Sequence, residues 1–318
     1  MAAAWNRLAT NVSIRPTIAI AALLLSLSLA GAAPDALPAP PSPAGVLAFA
    51  CECSEAGGTA LYTISPNGQD LRLLPGSEGA SQPRWSPRGR LLAFAREARS
   101  GTALWLAGAD GSRARRLTRA GGSVTWRPTG RDLAYVSDGL RTIRSDGSHA
   151  RRVPGARDLT DPDWGPGGRR IAASDRSERG RLWLVTPDGS ERRRLGPTSL
   201  AAHEPRWAPD GRRIAVLDVD AGAVRVLTLG SGRIRIVFSP EPETYDVEYF
   251  GWSHAWSPDG RWIAVLRNAA VECVDDPTSM WCERAELWIV SASGTQQTLI
   301  YAGPLNSDGG GVDWRRAP

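Results

Sequence analysis

Residues 256–266 read WSPDGRWIAVL, and the same shape recurs along the chain. Trp85 opens WSPRGR, Trp126 opens WRPTGR, Trp164 opens WGPGGR and Trp207 opens WAPDGR, while Trp314 begins a shortened copy, WRRAP. In each full copy proline presets φ at the second turn position and glycine closes the turn. A short apolar run follows: Leu91 to Phe94, Leu133 to Val136, Ile171 to Ala173, Ile214 to Leu217 and Ile263 to Leu266. These runs are too short for helices and are bounded by turn signals, which marks them as buried strands.

A third run comes next, as in Leu104-Trp105-Leu106, Leu182 to Val185 and Leu287 to Val290. It ends in a second turn such as Asp110-Gly111, Asp146-Gly147 or Asp188-Gly189, and an Arg-rich fourth run follows (Arg115-Arg116, Arg151-Arg152, Arg193-Arg194). Four strands per unit make one antiparallel blade, here called a to d from the inside outward. The six tryptophans are spaced by 41, 38, 43, 49 and 58 residues, and a period near 40–45 is that of four-stranded propeller blades. The first unit, Gly45 to Ala50, begins at strand b, and the last, Val312-Asp313-Trp314, is a lone strand a. The tail is therefore expected to complete the first blade and close the ring, which removes the open edge between the chain ends. The expectation is an all-β, six-bladed propeller over residues 45–316.

The W-S-P-D-G turn, followed by I-A-V and then L-W-I-V with its own turn, resembles the TolB-like family of propellers with WD-type "PD" repeats, along the whole of this body. The resemblance implies an extracytoplasmic propeller. The family's best-known member carries an α/β domain before its propeller and serves an envelope complex through a peptidoglycan-associated lipoprotein. A Pro-rich stretch stands in that place here.

That stretch is residues 33–44, APDALPAPPSPA, an extended and semi-rigid spacer. Before it, Arg7 and Arg15 precede the apolar run Thr17 to Ala30, and Ala30-Gly31-Ala32 fits small-x-small cleavage. Residues 1–32 are expected to be a signal peptide, with an uncleaved anchor helix as the alternative. Either places the body outside the cytoplasm, in the periplasm, on the cell surface or in the medium. Charge fits a non-nucleic-acid role. All 38 basic side chains are arginine, the net charge is +5, and loss of Arg7 and Arg15 lowers it to +3. The arginine clusters fall on outer strands with acids between them, where they block edge pairing.

Strand order puts the regular a–b and c–d turns on one face and the variable b–c and d–a loops on the other. Recognition is expected on the loop-rich face, centred on blade six, whose connections are the longest: SPEPETYDVEYFG from Ser239 and NAAVECVDDPTSMWCERA from Asn268. Tyr245, Trp252 and Trp281 are the aromatic candidates there. Cys273 and Cys282 lie within the second connection and are expected to form a local disulfide, with two bridges joining blades one and six through Cys51 and Cys53 as the alternative. His203 and His254 precede Trp207 and Trp256, and with Asp161, Glu204, Arg84 and Arg206 they are the candidates for a binding site at the channel mouth. No metal or cofactor is implied. No G-x-S-x-G, H-E-x-x-H or phosphate loop occurs.

Two functions fit these features. The first is a monomeric, exported, non-enzymatic propeller that binds a protein, peptide or cell-envelope glycan, touching membrane only through an uncleaved N-terminal anchor. The alternative is a metal-assisted lyase or hydrolase built on His203, His254, Asp161 and Glu204.

Overall fold

The computed structural model describes residues 43–52, 58–98, 101–240, 252–272, 281–304 and 310–317. The expected signal segment and most of the spacer lie outside them. Among the described residues no helix is long and apolar enough to cross a membrane.

The described residues form twenty-four strands in six sheets of four. Blade one holds β1 (Val46–Cys51), β2 (Ala60–Ile64) and β3 (Arg72–Leu73). Blade two follows as β4 (Ala80–Trp85), β5 (Leu91–Ala98), β6 (Gly101–Gly108) and β7 (Arg115–Arg116). Blade three is β8 (Gly122–Trp126), β9 (Asp132–Val136), β10 (Leu140–Arg144) and β11 (Arg151–Arg152). Blade four is β12 (Leu159–Trp164), β13 (Ile171–Asp175), β14 (Leu182–Val185) and β15 (Arg192–Leu195). Blade five is β16 (His203–Trp207), β17 (Arg213–Asp218), β18 (Ala223–Thr228) and β19 (Ile234–Phe238). Blade six is β20 (Ser253–Trp256), β21 (Trp262–Glu272), β22 (Trp281–Ser291) and β23 (Gln297–Pro304). The tail strand β24 (Val312–Arg315) then pairs with β1, placing Leu47 opposite Trp314. The six-bladed ring closed by the C-terminal strand is thus the observed architecture.

The repeated turn explains its sequence. Gly260 donates its N–H to the Ser257 carbonyl at 2.9 Å, and Ser257 donates to the Trp262 carbonyl at 2.9 Å. Gly89, Gly130, Gly168, Gly211 and Gly260 all adopt φ between 65° and 72°. This is a type I turn followed by a left-handed residue within a four-residue hairpin connection, Pro258 to Arg261, and the left-handed position wants glycine.

The tryptophan of each turn fills a seam. Six clusters of buried side chains lie one to each junction between neighbouring blades. Trp85, Trp126, Trp164, Trp207, Trp256 and Trp314 each pack into a different one. Two also latch by hydrogen bond: Trp126 Nε1 donates to the Arg84 carbonyl at 3.0 Å and Trp256 Nε1 to the Arg206 carbonyl at 2.9 Å. Each large ring buries apolar area worth about 3 kcal/mol, so the repeat is a repeat of seam fillers.

The connection between β21 and β22 corrects one expectation. No disulfide pair is present among the described residues; Cys51 is disulfide-bonded, to a sulfur outside the described side chains, and the expected Cys273–Cys282 pairing lies outside the described residues. The described part of the insertion is held by its backbone. The β21–β22 ladder runs unbroken from Trp262↔Ser291 to Glu272↔Trp281, with Cys282 opposite Val271. A buried ionic cluster braces it. Glu286 accepts from Arg267 Nε at 3.0 Å, Arg284 Nη2 at 2.7 Å and Trp288 Nε1 at 2.9 Å. Burial pushes the Glu286 carboxyl up, but the hydrogen bonds from Arg284 and Trp288 and the Arg267 charge outweigh it and hold the pKa below its ordinary value.

Candidate functional site

The innermost strands β4, β8, β12, β16, β20 and β24 surround the axis and bring two layers of side chains to it. Local backbone decides the first layer. Four successive inner strands carry a register shift against their neighbours, between Ser81 and Arg84, Gly122 and Thr125, Thr160 and Asp163, and His203 and Arg206. Within each shift one residue takes positive φ: Gln82 (52°), Ser123 (42°), Asp161 (47°) and Glu204 (46°). Such bulges re-aim a side chain, and left-handed non-glycine residues are held only where the surroundings over-determine them. Here the surroundings are one another. Ser123 N–H donates to Gln82 Oε1 at 2.8 Å, and Ser123 Oγ donates to Asp161 Oδ1 at 3.1 Å. Ser253 Oγ donates to Glu204 Oε2 at 3.0 Å and receives the Val312 N–H at 3.3 Å. These groups, with Gly311, surround a space of only about 10 Å³, room for roughly one water.

One turn of the strands further along lies the second layer: Arg84, Thr125, Asp163, Arg206, Ala255 and Asp313. Asp163 accepts from Thr125 Oγ1 at 3.0 Å and from the Trp207 N–H at 2.7 Å. Asp313 accepts the Trp85 N–H at 2.6 Å. Each carboxylate therefore clips the following blade. Arg84 Nη1 donates to the carbonyls of Pro83 and Val312, both at 2.9 Å, and Arg206 Nη2 pairs with Glu204 Oε2 at 3.1 Å. The inner carboxyls are all pushed up, first by burial. Asp163 rises to about 7 against the Trp207 hydrogen bond and the Arg84 charge, and Glu204 rises to about 7 with help from the neighbouring Asp161. Asp161 and Asp313 are raised for the same reason.

Beyond this layer the axis opens. A chamber of about 1530 Å³ spreads over the face formed by the a–b and c–d turns, with Arg84, Asp163, Arg206 and Asp313 as its floor. Its walls differ in character. Blades one and two supply Arg88, Arg90, Arg113, Arg115, Arg315 and Arg316 against the one rim carboxylate Asp110, together with Trp85, Pro87, Leu91, Leu106 and Trp314; blades four to six supply Trp164, Trp207, Pro209, Trp256 and Pro258 and no rim arginine. The regular turns were expected to be purely structural and the opposite face to carry recognition. Among the described residues an open cavity lies on the turn face.

The structure separates the candidate residues. Arg84, Arg206, Asp161 and Glu204 do meet at the axis. His203 leans toward Gly180, where a Cβ would come within 2.7 Å of Nε2, and reaches Asp161 only through its charge. His254 is fully buried between blades five and six, and burial drives its pKa down to about 4, so the ring is neutral. It does not face the channel mouth. Among the described residues no group of three or more His, Cys, Asp or Glu is arranged to hold a metal ion. Trp252 is also buried, 6.2 Å from the Phe238 ring. Tyr245, Cys273 and the side chains of Trp281 and Cys282 lie outside the described residues.

Sequence reasoning ranked none of the rim arginines as site residues, nor Asp313. A signal for the axial groups was present: QPRW at Gln82, DPDW at Asp161 and EPRW at Glu204 share one spacing, a polar residue and a proline ahead of the seam tryptophan.

The chain matches TolB from Acinetobacter baumannii at 15% identity with a TM-score of 0.65, over 85% of this chain and 66% of that one. The architecture is TolB-like. A protein designated TolB from Agrobacterium tumefaciens matches at 14% identity with a TM-score of 0.61, over 87% of this chain and 99% of that one. A chain from a nidogen/laminin complex matches at 9% identity with a TM-score of 0.60, over 85% of this chain and 98% of that one. The chain spans about two thirds of the A. baumannii TolB, 66% of its length. At these identities the likeness is one of fold. No family model and no curated protein matches the sequence.

Proposed function

We propose that this chain is an exported propeller that acts by binding, recognising an envelope or extracellular protein, peptide or glycan as a monomer and without a cofactor. The observation that carries the reading is the chamber on the turn face. At about 1530 Å³ it exceeds the few hundred to 1,000 Å³ of ordinary small-molecule pockets. Arginine, which crowds its rim, and the partly exposed Trp207 are of the residue types that anchor macromolecular contacts. The N-terminal segment with its small-x-small site supports export, and the TolB-like architecture is in keeping with an extracytoplasmic setting.

The test is crosslinking in the producing cell. A photoreactive residue replacing Arg88 at the chamber rim is expected to give a discrete adduct on illumination. The same residue replacing Arg193 on the outer strand β15 is expected to give none. Adducts at neither position, or equally at both, would remove the turn face as a recognition surface.

A further inference from the structure

We propose that the chamber on the turn face binds an acidic, amphipathic peptide segment, with carboxylates against blades one and two and apolar side chains against blades four to six. This rests on the binding function proposed above and names the chemistry of its ligand.

Charge is the first argument. The rim bears six arginines and one carboxylate, Asp110. Among the described residues none of Arg88, Arg90, Arg113 and Arg316 forms an ion pair within 4 Å, whereas arginines outside the chamber, such as Arg152, Arg170 and Arg192, do. Like charges gathered without partners cost stability in the free protein, and a ligand carboxylate offsets that cost. The floor adds to the field, because Arg84 and Arg206 sit there while burial raises the facing Asp163 to about 7.

Pre-organisation is the second. The Arg315 guanidinium stands 4.5 Å above the Trp85 ring. Gly89, at φ +65°, leaves the space it crosses: a Cβ there would lie 3.1 Å from Arg315 Cδ and 3.3 Å from Nη1. A stacked guanidinium loses less freedom when it grips a carboxylate.

Shape is the third. The wall from blades four to six has no rim arginine and presents the accessible Trp207, Pro209 and Pro258. Fixed small anions make no use of such a wall, and a uniformly hydrophilic uronic acid chain makes little. A peptide alternating acidic and apolar side chains uses both walls at once.

Calorimetric titration of the purified full chain tests this, with a short peptide of alternating glutamate and leucine as the probe. An oligogalacturonate of equal charge and the lysine–leucine peptide serve as comparisons. The acidic peptide is expected to bind, to weaken as salt rises through the range where the Debye length shrinks below about 10 Å, and to lose about tenfold or more in affinity in Arg88→Glu/Arg316→Glu. Both side chains are exposed, so the fold should be kept and the thermal melt should not fall. Arg193→Glu/Arg194→Glu on β15 should bind as the wild type does. Absence of binding, equal loss in both double variants, or oligogalacturonate binding as tightly as the peptide would overturn the proposal. If crosslinks form at Arg88 in cells while the peptide fails to bind, the binding function stands and the acidic-peptide assignment alone falls.

Discussion

A chain ending at Ser307 should lose the cooperative fold, although only a short tail has been removed. That tail holds β24, the inner strand of blade one, which pairs with β1 over four residues from Val46↔Arg315 to Phe49↔Val312. Its loss removes Trp314 from the seam between blades six and one. It also deprives Arg84 Nη1 of the Val312 carbonyl and the Trp85 N–H of Asp313. The Trp314→Ala change alone is expected to cost about 4 kcal/mol, as large aromatic truncations in cores do. Truncation adds an unpaired β1 edge and an open seam, and the sum approaches the whole stability of a typical domain, about 5–15 kcal/mol. Urea unfolding followed by tryptophan fluorescence should show a broad, displaced transition for the truncated chain and a sharp one for Trp314→Ala at lower midpoint. A truncated chain that unfolds with the wild-type midpoint would mean that the ring does not depend on its closure.

The second large effect is on pH. Asp163 and Glu204 have folded-state pKa values of about 7, against about 4 in an unfolded chain. Between about pH 4.5 and 7 the folded protein holds protons that the unfolded chain has released, so stability falls as pH rises through this window. At about 1.4 kcal/mol per unit, Asp163 accounts for about 4 kcal/mol. Glu204 accounts for less, because its side chain keeps 23% of its exposure and solvent screening discounts the shift. Asp161 and Asp313 act in the same direction. His254 opposes them: its value of about 4 lies below the ordinary 6.5, so its contribution to stability grows with pH up to about 6.5. The net expectation is a protein less stable at pH 8 than at pH 5 by about 3 kcal/mol. In Asp163→Asn/Glu204→Gln, which keeps acceptors for the Trp207 N–H and the Ser253 hydroxyl, the dependence should flatten or reverse. Urea midpoints at the two pH values decide the matter. A wild-type midpoint higher at pH 8 would show that these carboxyls are ionised and well paired in the fold.

The ring was legible because its determinants are local and repeated. Each W-x-P-x-G turn fixes a hairpin by its own backbone preferences, and each tryptophan marks a seam, so counting one counts the other. The unmatched strand a at Val312 was readable as the missing partner of Leu47 for the same reason. The site was less legible because it is assembled by the ring. Arg88 and Arg315 are far apart in sequence and meet only through closure. Gly89 reads as a turn residue until the guanidinium crossing it is seen. His254 looked like a channel residue from its place ahead of Trp256, but its strand lacks the bulge that turns Asp161 and Glu204 to the axis, and the ring faces the neighbouring blade. The connection after Asn268 reads as a loop, but the β21–β22 ladder extends it as strand as far as Glu272 and resumes at Trp281.

Amide hydrogen exchange across Val312–Arg315 in the full chain tests the closed ring most directly. The account predicts that these amides exchange as slowly as those of β12 in the middle of the chain, because both are inner strands of complete blades. Exchange as fast as that of a fraying terminus would contradict it, and with the ring would go the chamber that blades one and two are brought together to form.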